Sequence, residues 1–385
     1  MKMYLSREME RMLDGEYGVG KQMAMKVLVA LGDSYNAEKM VRIKSAHISG
    51  ASYDTVGEHG LHLIKEMSSD CEVVVKTTLN PIGFDRDFVE EIDEDFYAKQ
   101  MELLQIFQKM GVELTCTCTP YYHHNLPKFG EIVAWAESSA IIYINSLVGA
   151  RTNRESGFSS LCSAITGYTP YHSLLIEENR APNFVVKVKE KLNPGMLGLY
   201  IGKEFQGIPY IVFDYIPDED YLKLMGAAMG ASGNISMFHA EDITPEHNKY
   251  DTKGLERVEV EKKDLEDLTG NKDFEAVVFG CPHLSEREIA DIVKILGNRE
   301  VVKPIYLYTS RGVMARMRRE VEFLRRKGVR VLADTCMVVS PLLRGKYRKI
   351  ATNSGKAYHY LRSKKFGGFE VYLGNTEELL YDSTR

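Results

Sequence analysis

Between Phe274 and Ala333 the chain alternates strand and helix with little in between, and this alternation constrains the fold more than any other stretch. Phe274 to Gly280 is an apolar run of strand length, and Ser285-Glu286-Arg287-Glu288 has the Ser-x-x-Glu pattern of a capping box opening a helix to about Leu296. Pro304 to Thr309 reads as a second strand. Val313, Met317, Val321 and Leu324 then recur at helical spacing in a helix from about Arg311 to Lys327, ahead of a third strand ending near Ala333. Strand-helix-strand units join parallel strands by right-handed crossovers, so the carboxyl ends of these strands share one edge of a sheet. Two of the strands run into a cysteine, Cys281 and Cys336, and the topology brings both thiols to that edge.

A third strand-like run, Val112 to Cys118, also ends in cysteine but must arrive from another part of the fold. Three converging thiolates are the ligand set of an iron-sulfur cluster that keeps one coordination position open. Spacing by itself leaves Cys116, Cys118, Cys281 and Cys336 between buried packing and metal ligation. Cys162 lies with Phe158, Leu161 and Ile165 at helical spacing and Cys71 opens the apolar Val73 to Val75, so both read as core. The chain has no Cys-x-x-Cys pair, which argues against a zinc knuckle or a thioredoxin-type site.

Six scattered cysteines in 385 residues are too few for a secreted disulfide framework, and the amino terminus lacks the apolar core of a signal peptide. The chain therefore reads as cytoplasmic. No apolar span is long enough for a membrane helix. A formal charge of -5 gives no global attraction to nucleic acid or anionic membrane, so a small anionic ligand must be held by a local pocket.

The expected fold is α/β, built of several units with parallel sheets and with functional residues at strand carboxyl ends. A first region, residues 1–114, holds a helix capped by Ser6, a helix from Lys21 to Leu31, and a strand from Met40 to Ala46. The turn Ser49-Gly50-Ala51-Ser52, a helix from Val56 to Met67, a strand from Glu72 to Leu79 closed by Asn80-Pro81, and a helix from Asp95 to Met110 follow. A middle region, 115–272, has strands at Ala140 to Val148, Phe184 to Val188 and Pro209 to Phe213, a small-residue stretch Gly226 to Asn234 suited to close helix packing, and a polar linker from His247 to Lys272. The third region, 273–385, carries Cys281, Cys336 and the pair Gly355-Lys356. Taken singly, Ser49-Gly50 and Asn80-Pro81 are ordinary turns and Lys356 an ordinary surface charge. Glu137 is less ordinary, because a carboxylate in an apolar context needs a partner or a function.

Seven segments, spread along nearly the whole chain, together resemble the large subunit of aconitase X: Tyr4-Leu5-Ser6, Gly15-Glu16-Tyr17-Gly18-Val19, Lys44-Ser45-Ala46-His47-Ile48-Ser49-Gly50, Cys118-Thr119-Pro120-Tyr121-Tyr122, Thr152-Asn153-Arg154-Glu155, Gly280-Cys281-Pro282-His283 and Asp334-Thr335-Cys336. The resemblance implies an aconitase-like fold and a 4Fe-4S cluster with one open iron, which can also be found in a 3Fe-4S form, on Cys118, Cys281 and Cys336; Cys116 is left as a packing neighbour. It implies a substrate site lined by Gly50, Ala51, Ser52, Asn80, Pro81, Glu137, Ser138, Gly355 and Lys356, with Ser138 and Glu137 in the catalytic role. One branch of the family, the hydroxyproline dehydratases, usually carries a fused swivelling domain. The other splits into two subunits and dehydrates (R)-5-phosphomevalonate to trans-anhydromevalonate 5-phosphate in an archaeal isoprenoid route. The length of this chain points to the two-subunit branch and thus to a small swivel-domain partner subunit in a heterodimer. The general base stays open among Ser138, Glu137, His47 and a group from that partner. Hydroxyproline dehydration, and a zinc-binding or non-catalytic scaffold role, are the competing readings.

Overall fold

The structure is a computed structural model, and it describes residues 3–385. The first strands are β1 (Met40–Arg42), β2 (Ser45–Ile48), β3 (Lys76–Leu79), β4 (Ala134–Trp135) and β5 (Tyr168–Pro170). β2 lies between β3 and β4, all parallel, with His47 opposite both Thr78 and Trp135. β1 pairs antiparallel with β5. The strand expected over Met40 to Ala46 is therefore two strands in two sheets. Ile43 N–H bonds Gly167 and Lys44 N–H bonds Ile132 at the changeover.

Strand pairing runs across residue 114. β4 and β5 complete sheets begun by β2 and β1, and the helix Gly157–Thr166 buries Leu161 and Ile165 with Met25, Leu28, Leu79 and Phe107 in one core. Cys71, Cys116 and Cys162 belong to this core too. Ala140 to Val148, expected as a strand, is the helix Ser138–Tyr143 followed by a wide turn over Ile144–Val148. A short run buried on every side shows no period that separates the two conformations, and Glu137, whose side chain accepts from Ser139 N–H, settles it by capping a helix.

The middle region is a parallel sheet of β6 (Phe184–Val188), β7 (Pro209–Phe213), β8 (His239–Ala240) and β9 (Glu256–Val260), in the order β8-β7-β6-β9. β9 falls inside the segment expected to be a linker. It is an edge strand with most of its side chains in water, so it reads as polar in sequence. Gly226 to Ser232 closes the helix Glu219–Ser232, which packs on the helix Pro194–Glu204; a Cβ on Gly198 would lie 2.2 Å from Met225 O.

The third region holds β10 (Ala276–Leu284), β11 (Ile305–Thr309), β12 (Arg330–Leu332), β13 (Lys349–Thr352) and β14 (Glu370–Leu373), in the order β12-β11-β10-β13-β14 and parallel throughout. The expected capping box at Ser285 and Glu288 is present. The helix expected from Arg311 to Lys327 is interrupted at Met317 into Arg311–Arg316 and Arg318–Arg326. Both faces of the sheet are covered, which explains the continuous apolar runs of its strands. Ala276, Val278 and Tyr308 face the middle region, while Val277, Phe279 and Leu307 face the outer helices. Among the described residues no helix is long and apolar enough to cross a membrane.

Candidate active site

Because β2, β3 and β4 run parallel, their carboxyl ends deliver Gly50 to Ser52, Asn80-Pro81 and Glu137-Ser138 to one edge. The third sheet delivers Cys281, Cys336 and Gly355-Lys356 to its own carboxyl edge, and the two edges face each other. Ile82 N–H donates to Asp334 O at 2.8 Å, and Ser52 Oγ donates to Val339 O at 3.3 Å. The first sheet's turns are thereby bonded to the loop that carries Cys336.

Glu137 and Lys356 form a buried ion pair across this junction, with only 9% and 6% of each residue exposed. Asn80 Nδ2 donates to Glu137 Oε2 at 2.8 Å, and Ser139 donates to Oε1 through its hydroxyl at 3.2 Å. Burial alone would raise the carboxyl's pKa, but the Lys356 ammonium, Asn80 and the Ser139 N–H outweigh it and hold Glu137 at about 2. For Lys356 burial works the other way, yet Glu137 keeps its amine well above the ordinary value. Both directions describe one ionised pair. Lys356, which taken singly passes for a surface charge, is buried beside Glu137.

Each cysteine of the expected cluster set is preceded, one or two positions earlier, by a residue in the left-handed region. These are Cys116 at φ 46°, Gly280 at φ 103° and Asp334 at φ 62°. Their effect is to choose a face. In a regular strand residues 116 and 118 would point the same way. Here Cys116 packs in the first core near Arg86 and Asp334, while Cys118 has Glu137, Lys356, Cys336 and Cys281 as electrostatic neighbours. At Gly280 the strand similarly breaks alternation, so that Cys281 joins Cys336 on the face toward the middle region. A Cβ at Gly280 would lie 2.0 Å from Tyr308 O, so only glycine fits that break.

Burial pushes the Cys118 thiol well above its usual pKa, with Glu137 adding to it and Lys356 opposing. The same burial takes Cys281 to about 12, and raises Cys336 against the pull of the Val339 and Val338 N–H groups. No three His, Cys, Asp or Glu side chains among the described residues converge as they would around a single metal ion. A cluster asks for a different spacing, because each thiolate binds its own iron.

Several residues of the site escaped the sequence reading. His283 donates its backbone N–H to Cys118 Sγ at 3.2 Å, while its ring spans Thr117 Oγ1 at 2.9 Å and Thr335 O at 2.8 Å, so one side chain ties together the segments carrying all three thiols. Ser354 donates to Cys281 O and caps the helix Gly355–Leu361. Asp334 accepts from Arg86 Nε at 2.7 Å and from Arg311 Nε at 3.1 Å. The Gly-Cys-Pro-His and Asp-Thr-Cys segments were visible as motifs, but nothing in them announces a partner more than a hundred residues away. A cavity of about 470 Å³ lies behind the Cys336 loop, lined by Phe84, Phe88, Val331 and Leu342, and is separate from the Glu137–Lys356 junction.

Comparison with known proteins gives the family. The family models for the aconitase X first, second and third domains match residues 2–178, 182–270 and 274–385. The phosphomevalonate dehydratase large subunit of Thermococcus kodakarensis is 41% identical over 396 residues, covering 99% of this chain and 100% of that one. The protein of the same name from Methanocaldococcus jannaschii is 40% identical, covering 98% and 99%. The cis-3-hydroxy-L-proline dehydratase of Pseudomonas aeruginosa is 30% identical, and there the match takes in only 65% of the longer relative. The crystal structure of Thermococcus kodakaraensis aconitase X in its holo-form superposes with a TM-score of 0.92, covering 99% of this chain and 100% of that one. With all three domain models matched in order and the fold shared from end to end, the chain belongs to the aconitase X family.

Proposed function

We propose that this chain is the large subunit of a hydro-lyase that removes water from (R)-5-phosphomevalonate. The observation that carries the reading is the buried Glu137–Lys356 pair at two facing sheet edges, with Cys281 and Cys336 among the electrostatic neighbours of Cys118 beside it. The relatives that match the chain over its full length bear the name of that activity. The reaction takes a proton from C2, beside the carboxylate, and releases the C3 hydroxyl as water.

Cys118, Cys281 and Cys336 would hold an iron-sulfur cluster. Thiols that burial keeps protonated become thiolates against strong positive charge, so this donor set fits such a group. Bound there, such a group would supply Lewis acidity toward the departing hydroxyl. The chain's own residues do the rest. The amides of Gly50, Ala51 and Ser52 make no hydrogen bond among the described residues and precede the single turn Tyr53 to Val56, which Gly57 at φ 65° separates from the helix that runs on to Met67; these free N–H groups are donors for an anion. Lys356, positioned by Glu137, adds the localised cation of the site.

Of the candidate bases in this chain, His47 has both ring nitrogens engaged and Glu137 is locked in its ion pair. Ser138 is the least committed, its hydroxyl 3.4 Å from Glu137 Oε1, a long approach for an O–H to a carboxylate. The catalytic assignment therefore rests on Ser138, with Glu137 as the group that organises it. The relatives' name, large subunit, implies a small partner subunit, and the reading assigns that subunit the other side of the site.

The test is a set of serine substitutions in the reconstituted complex, scored for iron and for product. Cys118→Ser, Cys281→Ser and Cys336→Ser are expected to lose iron and turnover, and Cys116→Ser, Cys71→Ser and Cys162→Ser to keep both. Iron lost in Cys116→Ser and kept in Cys118→Ser would reverse the ligand assignment. Equal turnover of a 3-hydroxyproline by the wild-type complex would overturn the substrate.

A further inference from the structure

The Asn80 amide that meets Glu137 is itself held from behind. His47 Nε2 lies 3.3 Å from Asn80 Oδ1, and His47 Nδ1 lies 2.9 Å from Thr78 Oγ1. Thr78 Oγ1 in turn accepts from Asn125 Nδ2 at 2.8 Å. These residues sit at neighbouring positions of the first parallel sheet: His47 in β2, Thr78 directly opposite it in β3, Asn80 just past the end of β3 and Glu137 just past the end of β4. All of them are buried.

Hydrogen positions in this row follow from its two ends. Glu137 is an anion and accepts only, so Asn80 must present its NH2 there and its carbonyl to His47. That carbonyl needs a donor, which places the imidazole proton on Nε2. Nδ1 is then an acceptor, supplied by the Thr78 hydroxyl; the alternative acceptor for that hydroxyl, Ala46 O, is farther at 3.4 Å. Every donor from Asn125 to Asn80 therefore points toward the carboxylate, and bonds aligned in this way strengthen one another. The ring plane is fixed by packing against Trp135, whose own N–H donates to Ser45 Oγ.

We propose that His47 is a positioning residue: as the neutral Nε2–H tautomer it fixes the Asn80 amide so that its N–H meets Glu137. This deepens the functional reading above and rests on its placement of Asn80 and Glu137 in the substrate site. Without the histidine donor the amide is free to turn, and the turned amide sets its oxygen against the carboxylate. His47 so placed is spent on its neighbours and takes no proton from substrate.

Two measurements test this on the reconstituted holoenzyme. The first is the ¹⁵N spectrum of histidine-labelled protein, with the His47 signals identified by their loss in His47→Gln. A protonated Nε2 with an acceptor-type Nδ1 is expected, and a protonated Nδ1 overturns the proposal. The second is a cycle of His47→Leu and His47→Gln, each alone and with Asn80→Ala, assayed with (R)-5-phosphomevalonate. His47→Leu is expected to lower kcat about tenfold to a hundredfold, the scale of one charge-assisted hydrogen bond, and to add nothing once Asn80 is alanine. His47→Gln, which keeps a donor toward Asn80, is expected to stay close to wild type. A loss of the same size in both backgrounds, or no loss in His47→Leu, overturns the proposal. Should His47→Leu fail to fold, the spectrum and the glutamine cycle decide. A wild-type complex with no turnover counts against the dehydration itself, and the tautomer measurement still judges His47.

Discussion

Glu137 and Lys356 stand 219 residues apart in the chain and meet where almost no water reaches. Each is tolerable there only because of the other, since an unpaired buried charge costs several kcal/mol. Lys356→Met should therefore cost about 3 to 5 kcal/mol in denaturant unfolding, more than the loss of a surface charge. The double change Lys356→Met with Glu137→Gln should regain much of that stability while remaining inactive. If stability and activity return together, the pair is structural and does not touch substrate. The same burial sets the acid response. Burial holds His47 and His123 neutral down to about 4, against 6.5 in an open chain. As pH falls below 6.5 the unfolded chain takes up these protons first, so stability is complete above 6.5 and declines until about 4, by roughly 3 kcal/mol for a fully buried histidine. Glu137, held at about 2, adds a loss between 4.5 and 2. Unfolding free energies measured from pH 7 to 4 should show the slope, and His47→Gln should flatten it; an unchanged slope refutes the assignment of that proton to His47.

At the level of elements, glycine decides how near two of them come. A Cβ on Gly157, at the start of the helix Gly157–Thr166, would lie 2.1 Å from Ser49 O, so the helix rests directly on the turn that leads to Gly50. Gly157→Ala must push that turn aside. The expected result is a raised KM for substrate, with little change in iron content, from a residue outside the site; an unchanged KM would show that the turn has room to give. Much at this scale was legible in the chain. β10 to β12, with the Ser285 capping box, follow from apolar runs and caps that are local signals, and β6 and β7 were readable in the same way. The misread segments share a cause, which is that their conformation is set from outside. Ala140 to Val148 carries no usable period, and its helix start depends on Glu137. β9 looks like a linker because an edge strand can afford charge on most of its length. The segments that meet at the junction stand out in sequence as separate motifs, whereas the left-handed turn at Cys116 that separates it from Cys118 is unmarked there, and His283 shows its contacts only once Thr117 and Thr335 are beside it.

Across the whole molecule, the first and third regions are joined by a charged knot. Asp334 is fully buried, and although burial opposes its ionisation, Arg86 and Arg311 hold its carboxyl below the ordinary value. Arg311 reaches on to Asp85 at 3.0 Å, and Asp85 accepts the Ala333 N–H at 2.7 Å. Asp334→Ala should leave Arg86 without its carboxylate, while Arg311 keeps Asp85 and Asp87; the expected result is a lower unfolding free energy, with faster loss of iron on chelator challenge. Iron retention equal to wild type would mean that the knot stabilises the fold without governing the Cys336 loop. The three stretches that separate domain models match are separable as text, but the knot denies them mechanical autonomy. The last turn of backbone before Cys336 has more partners in the first stretch, through Ile82, Asp85 and Arg86, than in its own. Cut out as a module, residues 274–385 would keep a sheet and lose the shape of the loop that gives the sheet its purpose. A homologous exchange of that stretch between distant relatives should accordingly succeed only when residues 82–87 travel with it.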